Sequence, residues 1–443
     1  MWIEKFDEEN RSYVGTIETF SEVKSIESDN TPSDSKYRRW NLVIDAIYAN
    51  DLPTGAYNPA QIDKAETAIF RSVSTYRKFH EYLDNEDEKL TRGQWVEIEL
   101  GVKKSATPVW GLNTGRSAEQ DIVLEKRIYI QHIKILNDDA PGKSVGAAAV
   151  ANRTKSQVAQ KHDLRTLQNR THSSVGNLIQ NVKTISSGCV HDVGQASFTT
   201  LNCDNDKTVF FDVGQPLLFQ HFTMNKRSKS SLPRPTKKNG DFIILSHWDW
   251  DHYAFGRFDH AFHDVAWLAP DQIVGPSTYK FASQLNDAGK LHLIVGAVPS
   301  LARRSPLKLA RDASNTADRN SSGFIAAIKL TDKRDILLTG DCDYATCHSL
   351  LPPTASFDRI VIPHHGGLGS GKMPKLKRSS EVFIISYGLN NKYGHPVERV
   401  LSAHAGCAKP IVGTAKNTTS KSSIRVPPYR QHLANRSRGD ISL

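Results

Sequence analysis

The sequence has no paired cysteines. Its five Cys, at 189, 203, 342, 347 and 407, include no C-x-x-C. An odd number at irregular spacing argues against a disulfide framework and against a cysteine zinc site, and it fits reduced thiols. The sequence also lacks an apolar start. MWIEKFDEEN is acidic, so no secretory signal is expected. No run approaches the ~18 apolar residues that span a bilayer. Together these absences lead us to expect a cytoplasmic protein with no membrane partner. Acid is missing from one further stretch. TMNKRSKSSLPRPTKKNG, residues 223 to 240, carries Lys226, Arg227, Lys229, Arg234, Lys237 and Lys238 with no Asp or Glu.

What is present is ordinary in bulk. The chain has 443 residues, 38% hydrophobic and 23% charged, which suits two or three globular domains. The net charge of +10 favours anionic partners such as nucleic acid or phosphorylated small molecules. Residues 1–135 mix helical and strand signals and are expected to form an α+β domain, a scaffold or a surface for a protein partner. Within it NPAQIDKAETAIFRSVSTYRKFHEYL predicts a helix, with Ile62, Ala65, Ile69, Val73, Tyr76 and Phe79 near one face. GQWVEIELGV and EKRIYIQHIKIL predict strands. Residues 136–180 are rich in small and polar types and read as an exposed connector, with no chemical role for His162 or His172. Residues 411–443 read as a basic tail.

From 181 to 410 the pattern changes. Apolar runs end repeatedly in Asp, His or Gly, with helical stretches such as TYKFASQLNDAG and PVERVLSAH between them. This alternation predicts an α/β sandwich with a site at its strand ends. The run DFIIL leads into SHWDWDHYAF, which puts His247, Asp249, Asp251 and His252 in six residues. A continuous apolar run suggests a strand covered on both faces. Imidazole and carboxylate ligate zinc, manganese or iron, and two such groups per ion do not close a site. The cluster therefore predicts partners from distant strand ends. They occur after DILLTG (Asp341), after FDRIVIP (His364, His365) and in the loop after EVFIISYG (His395).

The ordered set DVGQ, D-x-G, H-x-D-x-D-H, TGD, HHGG and GHP resembles the metallo-β-lactamase-fold hydrolases. Among them it is most similar to the soluble hydrolase domain of the competence protein ComEC, over roughly residues 185 to 405. The resemblance implies an αββα sandwich in the C-terminal half, with one or two divalent metals, Zn²⁺ or Mn²⁺, at the sheet edge. It implies His247 and Asp249 as ligands of one metal, Asp251 and His252 of the second, Asp341 as the bridging carboxylate and His395 as the late His. Of His364 and His365, one is expected to ligate and the other to contact substrate or donate a proton. Asp251, His364 and His365 are thus the expected catalytic residues. Asp212 resembles a buried support for the ligand loop.

Two departures shape these expectations. The family's usual H-x-H-x-D-H has Asp249 in place of its second His, as in the ComEC-like branch. The added carboxylate shifts preference toward Mn²⁺. The middle His of many members has no clear counterpart. His260, His263 and His292 are not at convincing strand ends, and Asn320 or Ser322 stands in that place. The first metal is then expected to be weakly held or absent. The expected activity is metal-dependent hydrolysis, foremost of a phosphodiester, with nucleic acid held by the basic segment 226–238. The alternatives are hydrolysis of a nucleotide, lactone or thioester, or a non-catalytic metal-binding module.

Overall fold

The structure is a computed structural model. It describes residues 10–22, 39–53, 59–84, 87–104, 107–113, 128–137, 155–167, 177–217, 223–224, 231–301, 305–377, 382–389, 391, 393–407, 409–415 and 439–443. The chain divides into two compact units. One comprises Met1–Leu167 and Ile273–Asp287, and the other Gln168–Gln272 and Ala288–Leu443.

The first unit is built on a closed barrel. Its strands are β1 (Arg11–Glu22), β2 (Arg39–Tyr48), β3 (Thr67–Thr75), β4 (Trp95–Gly101), β5 (Pro108–Asn113) and β6 (Ile128–Ile135), in the order β1-β2-β3-β5-β6-β4. Every pairing is antiparallel, and β4 on β1 closes the ring. Period-two alternation sends every second side chain inward. Leu42, Ile44 and Ala46 of β2, and Val96, Ile98 and Leu100 of β4, share one core.

The long helix expected over residues 58–83 is not formed. The segment is a short helix (Pro59–Lys64), strand β3 and a second short helix (Tyr76–His80). Thr67, Ile69, Val73 and Thr75 are β-branched, and β3 pairs with β2 over nine residues, so packing overrides the helical spacing. Thr75 Oγ1 then caps the second helix by accepting from Lys78 N. Residues 155–167 are not an exposed connector. His162 is fully buried, its Nδ1–H donating to Val158 O at 2.9 Å, and burial lowers its pKa to about 4. His172 lies outside the described residues. The helix Pro276–Asp287 belongs to this unit as well. Asp45 caps it, with Oδ1 accepting from Ser277 N at 2.8 Å and Oδ2 from Thr278 N at 3.3 Å.

The second unit is a mixed α/β body. Further strands are β7 (Ile185–Val190), β8 (Phe198–Cys203), β9 (Thr208–Val213), β10 (Phe242–Ile244), β11 (Ala266–Pro270), β12 (Leu291–Ile294), β13 (Val298–Leu301), β14 (Leu307–Arg311), β15 (Ile325–Lys329), β16 (Asp335–Leu338), β17 (Ser356–Phe357), β18 (Arg359–Val361), β19 (Lys375–Leu376), β20 (Val382–Ile385), β21 (Ile411–Gly413) and β22 (Ile441–Ser442). Two seven-stranded sheets form, β12-β11-β10-β9-β8-β7-β22 and β13-β14-β15-β16-β18-β20-β21, while β17 and β19 pair with each other. Each large sheet is antiparallel in one half and parallel in the other. The parallel runs are β9–β12 and β16-β18-β20-β21.

Val209, Phe211, Phe242, Ile244 and Leu268 of the first sheet share one core with Leu307, Leu309, Ala326, Ile336 and Ile384 of the second. Phe198, Phe210, Phe255 and Phe262 meet edge-on on the first sheet's other face, under the helix Trp250–Phe258. Ile360, Phe383, Ile385 and Ile411 of the second sheet pack with Tyr344, Cys347 and Leu401, from the helices Tyr344–Leu350 and Glu398–Ala405. The expected basic tail is in part sheet, because β22 pairs with β7. Among the described residues, no helix is long and apolar enough to cross a membrane.

Candidate metal centre

The site lies where parallel strands end. Strand β10 runs through Leu245 and Ser246 to His247, and β16 through Thr339 and Gly340 to Asp341. Strand β18 leads to His364 and His365, and β20 to the loop that carries His395. A parallel sheet lines up its carboxyl ends, so residues far apart in sequence converge. Two backbone features show how tightly the loops are drawn. A Cβ on Gly214, just after β9, would stand 1.7 Å from Asp251 O. His364 and His365 both take the left-handed conformation, each with φ 52°. Non-glycine residues adopt it at a cost, and such strain concentrates at functional sites.

Asp212 organises the ligand loop. It is fully buried at the end of β9 and has φ 59°. Its Oδ1 accepts from Ser246 N at 2.7 Å, and its Oδ2 accepts from Ser246 Oγ at 2.9 Å and from His252 Nδ1–H at 2.8 Å. With its proton given to Asp212, Ser246 Oγ accepts from His247 Nδ1–H at 3.0 Å. His365 Nδ1–H donates to Ser386 O at 2.8 Å. In all three rings the partner fixes the proton on Nδ1 and turns the lone pair of Nε2 into the site.

Those Nε2 atoms meet carboxylates. His252 Nε2 is 3.2 Å from Asp341 Oδ1, and His247 Nε2 is 3.7 Å from Asp341 Oδ2. His365 Nε2 is 3.4 Å from Asp251 Oδ2, and His364 Nε2 is 3.8 Å from Asp341 Oδ2. His247 Nε2, His252 Nε2, His365 Nε2 and Asp341 Oδ1 are all buried and make no hydrogen bond. Two sets of three have donor atoms within 4.8 Å of one another: His247, His252 and Asp341, and Asp251, His252 and His365. Asp249 and His395 belong to neither. Asp249 Oδ2 is 3.4 Å from His247 Nε2, while its Oδ1 is 2.9 Å from Nε of the buried Arg319. His395 packs against the His364 ring at 5.1 Å between centroids.

The electrostatics follow from this crowding. Burial works against charge on both His252 and Asp341, but each is opposed by the other. Asp341 and Asp212 raise His252 well above its usual value, and His252, His364 and His247 hold Asp341 well below its own. Burial is likewise overridden at His365, raised by Asp251, and at Asp251, lowered by His365 and His252. Burial, then His364 and His365, push His395 down to about 3. A cation set among these acceptors would replace the protons on the imidazoles, so the donor set fits a divalent ion.

Other expected residues fall elsewhere. Ser322 Oγ donates to Asp318 O and accepts from Gln272 Nε2, so the hydroxyl is engaged away from the donor sets, and the backbone carbonyl of Asn320 accepts the Cys342 thiol. His263 Nε2–H donates to Arg257 O. Lys226, Arg227 and Lys229 lie outside the described residues. Arg234 pairs with Asp259 at 2.9 Å and lies over Phe255. Lys237 and Lys238 are exposed in a turn before β10, at the end of that strand opposite to His247. Of the six cationic residues expected to hold nucleic acid, the three described are thus one arginine paired with an aspartate and two lysines before β10. Arg319 was missed because no pattern in NTADRNSS marks it.

No family model matches this sequence, and no curated protein does either. Among solved structures, it is similar to Zn²⁺-bound PqqB from Methylobacterium extorquens, with a TM-score of 0.27 and 12% identity, covering 40% of this chain and 72% of that one. It is also similar to a possible metal-dependent hydrolase from Veillonella parvula DSM 2008, with a TM-score of 0.31 and 11% identity, covering 59% of this chain and all of that one.

Proposed function

We propose that this chain is a metal-dependent hydrolase of the metallo-β-lactamase type, akin to the ComEC-like branch, and that it cleaves a phosphodiester. One observation carries the reading. Three imidazoles have Nδ1–H tied to a separate acceptor, which turns Nε2 inward, and they converge with Asp341 and Asp251 at aligned strand ends. A structural ion-pair cluster does not need every Nδ1 proton tied to a separate acceptor. A divalent ion bound there would supply Lewis acidity and make water nucleophilic at neutral pH.

The protein's own part is division of labour. Asp251, His252, His365 and Asp341 would hold the ion, and Asp212 and Ser246 orient the ligands. His364 is the imidazole that reaches solvent, with 32% of its side chain exposed. It is placed to pass a proton to a leaving oxygen, while the buried His365 is not. Anionic substrate suits the +10 charge. The substrate is a nucleic acid or a smaller phosphodiester, and the incubation below tells them apart.

The test is incubation with Mn²⁺, and separately Zn²⁺, on single- and double-stranded DNA and RNA and on a chromogenic phosphodiester. The D251A/H252A double variant is the control. Metal-dependent cleavage lost in that variant supports the proposal. Cleavage of esters or lactones alone would reassign the bond, and no hydrolysis despite bound metal would leave a binding module.

A further inference from the structure

Resting on that metal-dependent reading, we infer that the centre takes a single divalent ion, and that Arg319 stands as a fixed positive charge where a second ion would sit. His252 is common to both donor sets, yet it has one inward lone pair and can serve one ion. With His252 committed alongside Asp251 and His365, a second ion would have His247, a share of Asp341, and Asp249. Asp249 is already engaged. Its Oδ1 is ion-paired with Arg319 Nε at 2.9 Å, outside hydrogen-bond geometry, and its Oδ2 is 3.4 Å from His247 Nε2; both side chains are nearly buried, at 10% and 7% exposure. A guanidinium does not deprotonate in a protein, so the charge beside Asp249 is permanent and repels a dication.

Arg319 is also held there. The fully buried Gln272 donates from Nε2 to Arg319 O at 2.8 Å, and its Oε1 accepts from Trp248 N at 3.1 Å. One amide thus ties the backbone of Arg319 to the loop between His247 and Asp249. The arrangement accounts for two facts together: Asp249 lies outside both donor sets, and none of the histidines weighed for the middle position, His260, His263 and His292, belongs to them.

The experiment counts ions, not turnover. Metal-stripped full-length protein is loaded with Mn²⁺. Bound metal is measured by mass spectrometry after dialysis, and by the electron paramagnetic resonance spectrum. Wild type is expected to hold one ion per chain with the six-line spectrum of isolated Mn²⁺. D249N is expected to keep that single ion, because Asp249 is not a ligand. R319A is expected to gain occupancy toward two as free Mn²⁺ is raised, with spin-coupled signals appearing. Two ions in wild type, falling to one in D249N, would overturn the inference while leaving the hydrolase reading intact. R319A folded but still limited to one ion would overturn the role of Arg319. No bound metal in wild type would overturn both readings. If R319A does not fold, wild type and D249N decide the question.

Discussion

Asp212→Asn tests whether the site is organised by proton placement. The substitution keeps volume and shape at a fully buried position. Asn Oδ1 can still accept from Ser246 N, so the amide nitrogen must take the place of Oδ2, which accepts from Ser246 Oγ and His252 Nδ1 at 2.9 and 2.8 Å. An NH₂ there is a donor. It faces the His252 Nδ1–H, and the favoured response moves the imidazole proton to Nε2, where the ion must bind. One charge-assisted hydrogen bond is lost, about 1.5–3 kcal/mol of stability. Metal affinity should fall roughly 10–100-fold, the usual cost of removing an outer-shell partner, which is about 1.4–2.8 kcal/mol. The assay is a chelator competition for Mn²⁺ beside a thermal melt of the metal-free protein. Unchanged Mn²⁺ affinity in a folded D212N variant would refute the reasoning, since His252 would then present the same lone pair without its carboxylate.

The pH dependence has a definite sign. His252 and His365 are raised above 6.5, so their stabilisation is full below that value and lost as pH climbs through their higher folded values. Asp341 and Asp251 are lowered below 3.8, so theirs is present above that value and lost as pH falls through their folded values. The melting temperature of metal-free protein should therefore be greatest between about pH 4 and 6.5, and bound Mn²⁺ should remove the alkaline decline; a flat profile would contradict the coupling. Metal binding at pH 7 should release protons, seen as buffer-dependent heats in calorimetry. Gly214→Ala should cost about 3 kcal/mol or more in urea unfolding, since the Cβ meets backbone at Asp251; a loss under about 1 kcal/mol would mean the loop relaxes freely. Asp45→Ala should destabilise the barrel unit by about 1–2 kcal/mol through the lost helix cap, read by proteolysis within 273–287; unchanged cleavage would discount the cap.

The strands that lead to the site were legible because burial on both faces leaves a plain mark. FIIL, ILL, IVIP and VFII are continuous apolar runs, and each is followed within ten residues by a residue of the cluster. A His or Asp in the turn or loop after such a run is carried to the carboxyl end of the sheet. Local pattern failed where a tertiary partner chose the outcome. Residues 67–75 carry helical spacing and β-branched residues together, and only the neighbouring strands decide between them. The helix 276–287 was visible as a helix, but its place with the barrel rests on Asp45, more than 200 residues earlier.

Charge was read over a segment that is described only in part. The acid-free run from 223 to 240 suggested a surface for polyanions at the site; its last lysines precede β10, at the end of that strand opposite to the ligand loop, and Lys226, Arg227 and Lys229 lie outside the described residues. Among the described residues, the cation paired with a carboxylate of the ligand loop is Arg319. Its importance comes from a carboxylate 70 positions away and from a buried glutamine that fixes its backbone. Sequence spacing exposes residues that act together along one strand or helix. A charge that works by occupying another group's place, as Arg319 does beside Asp249, becomes visible once the two loops are set side by side. That is why the departure at Asp249, legible as a missing imidazole, acquired its meaning from the structure: a carboxylate there can take an arginine, which a histidine ligand would not.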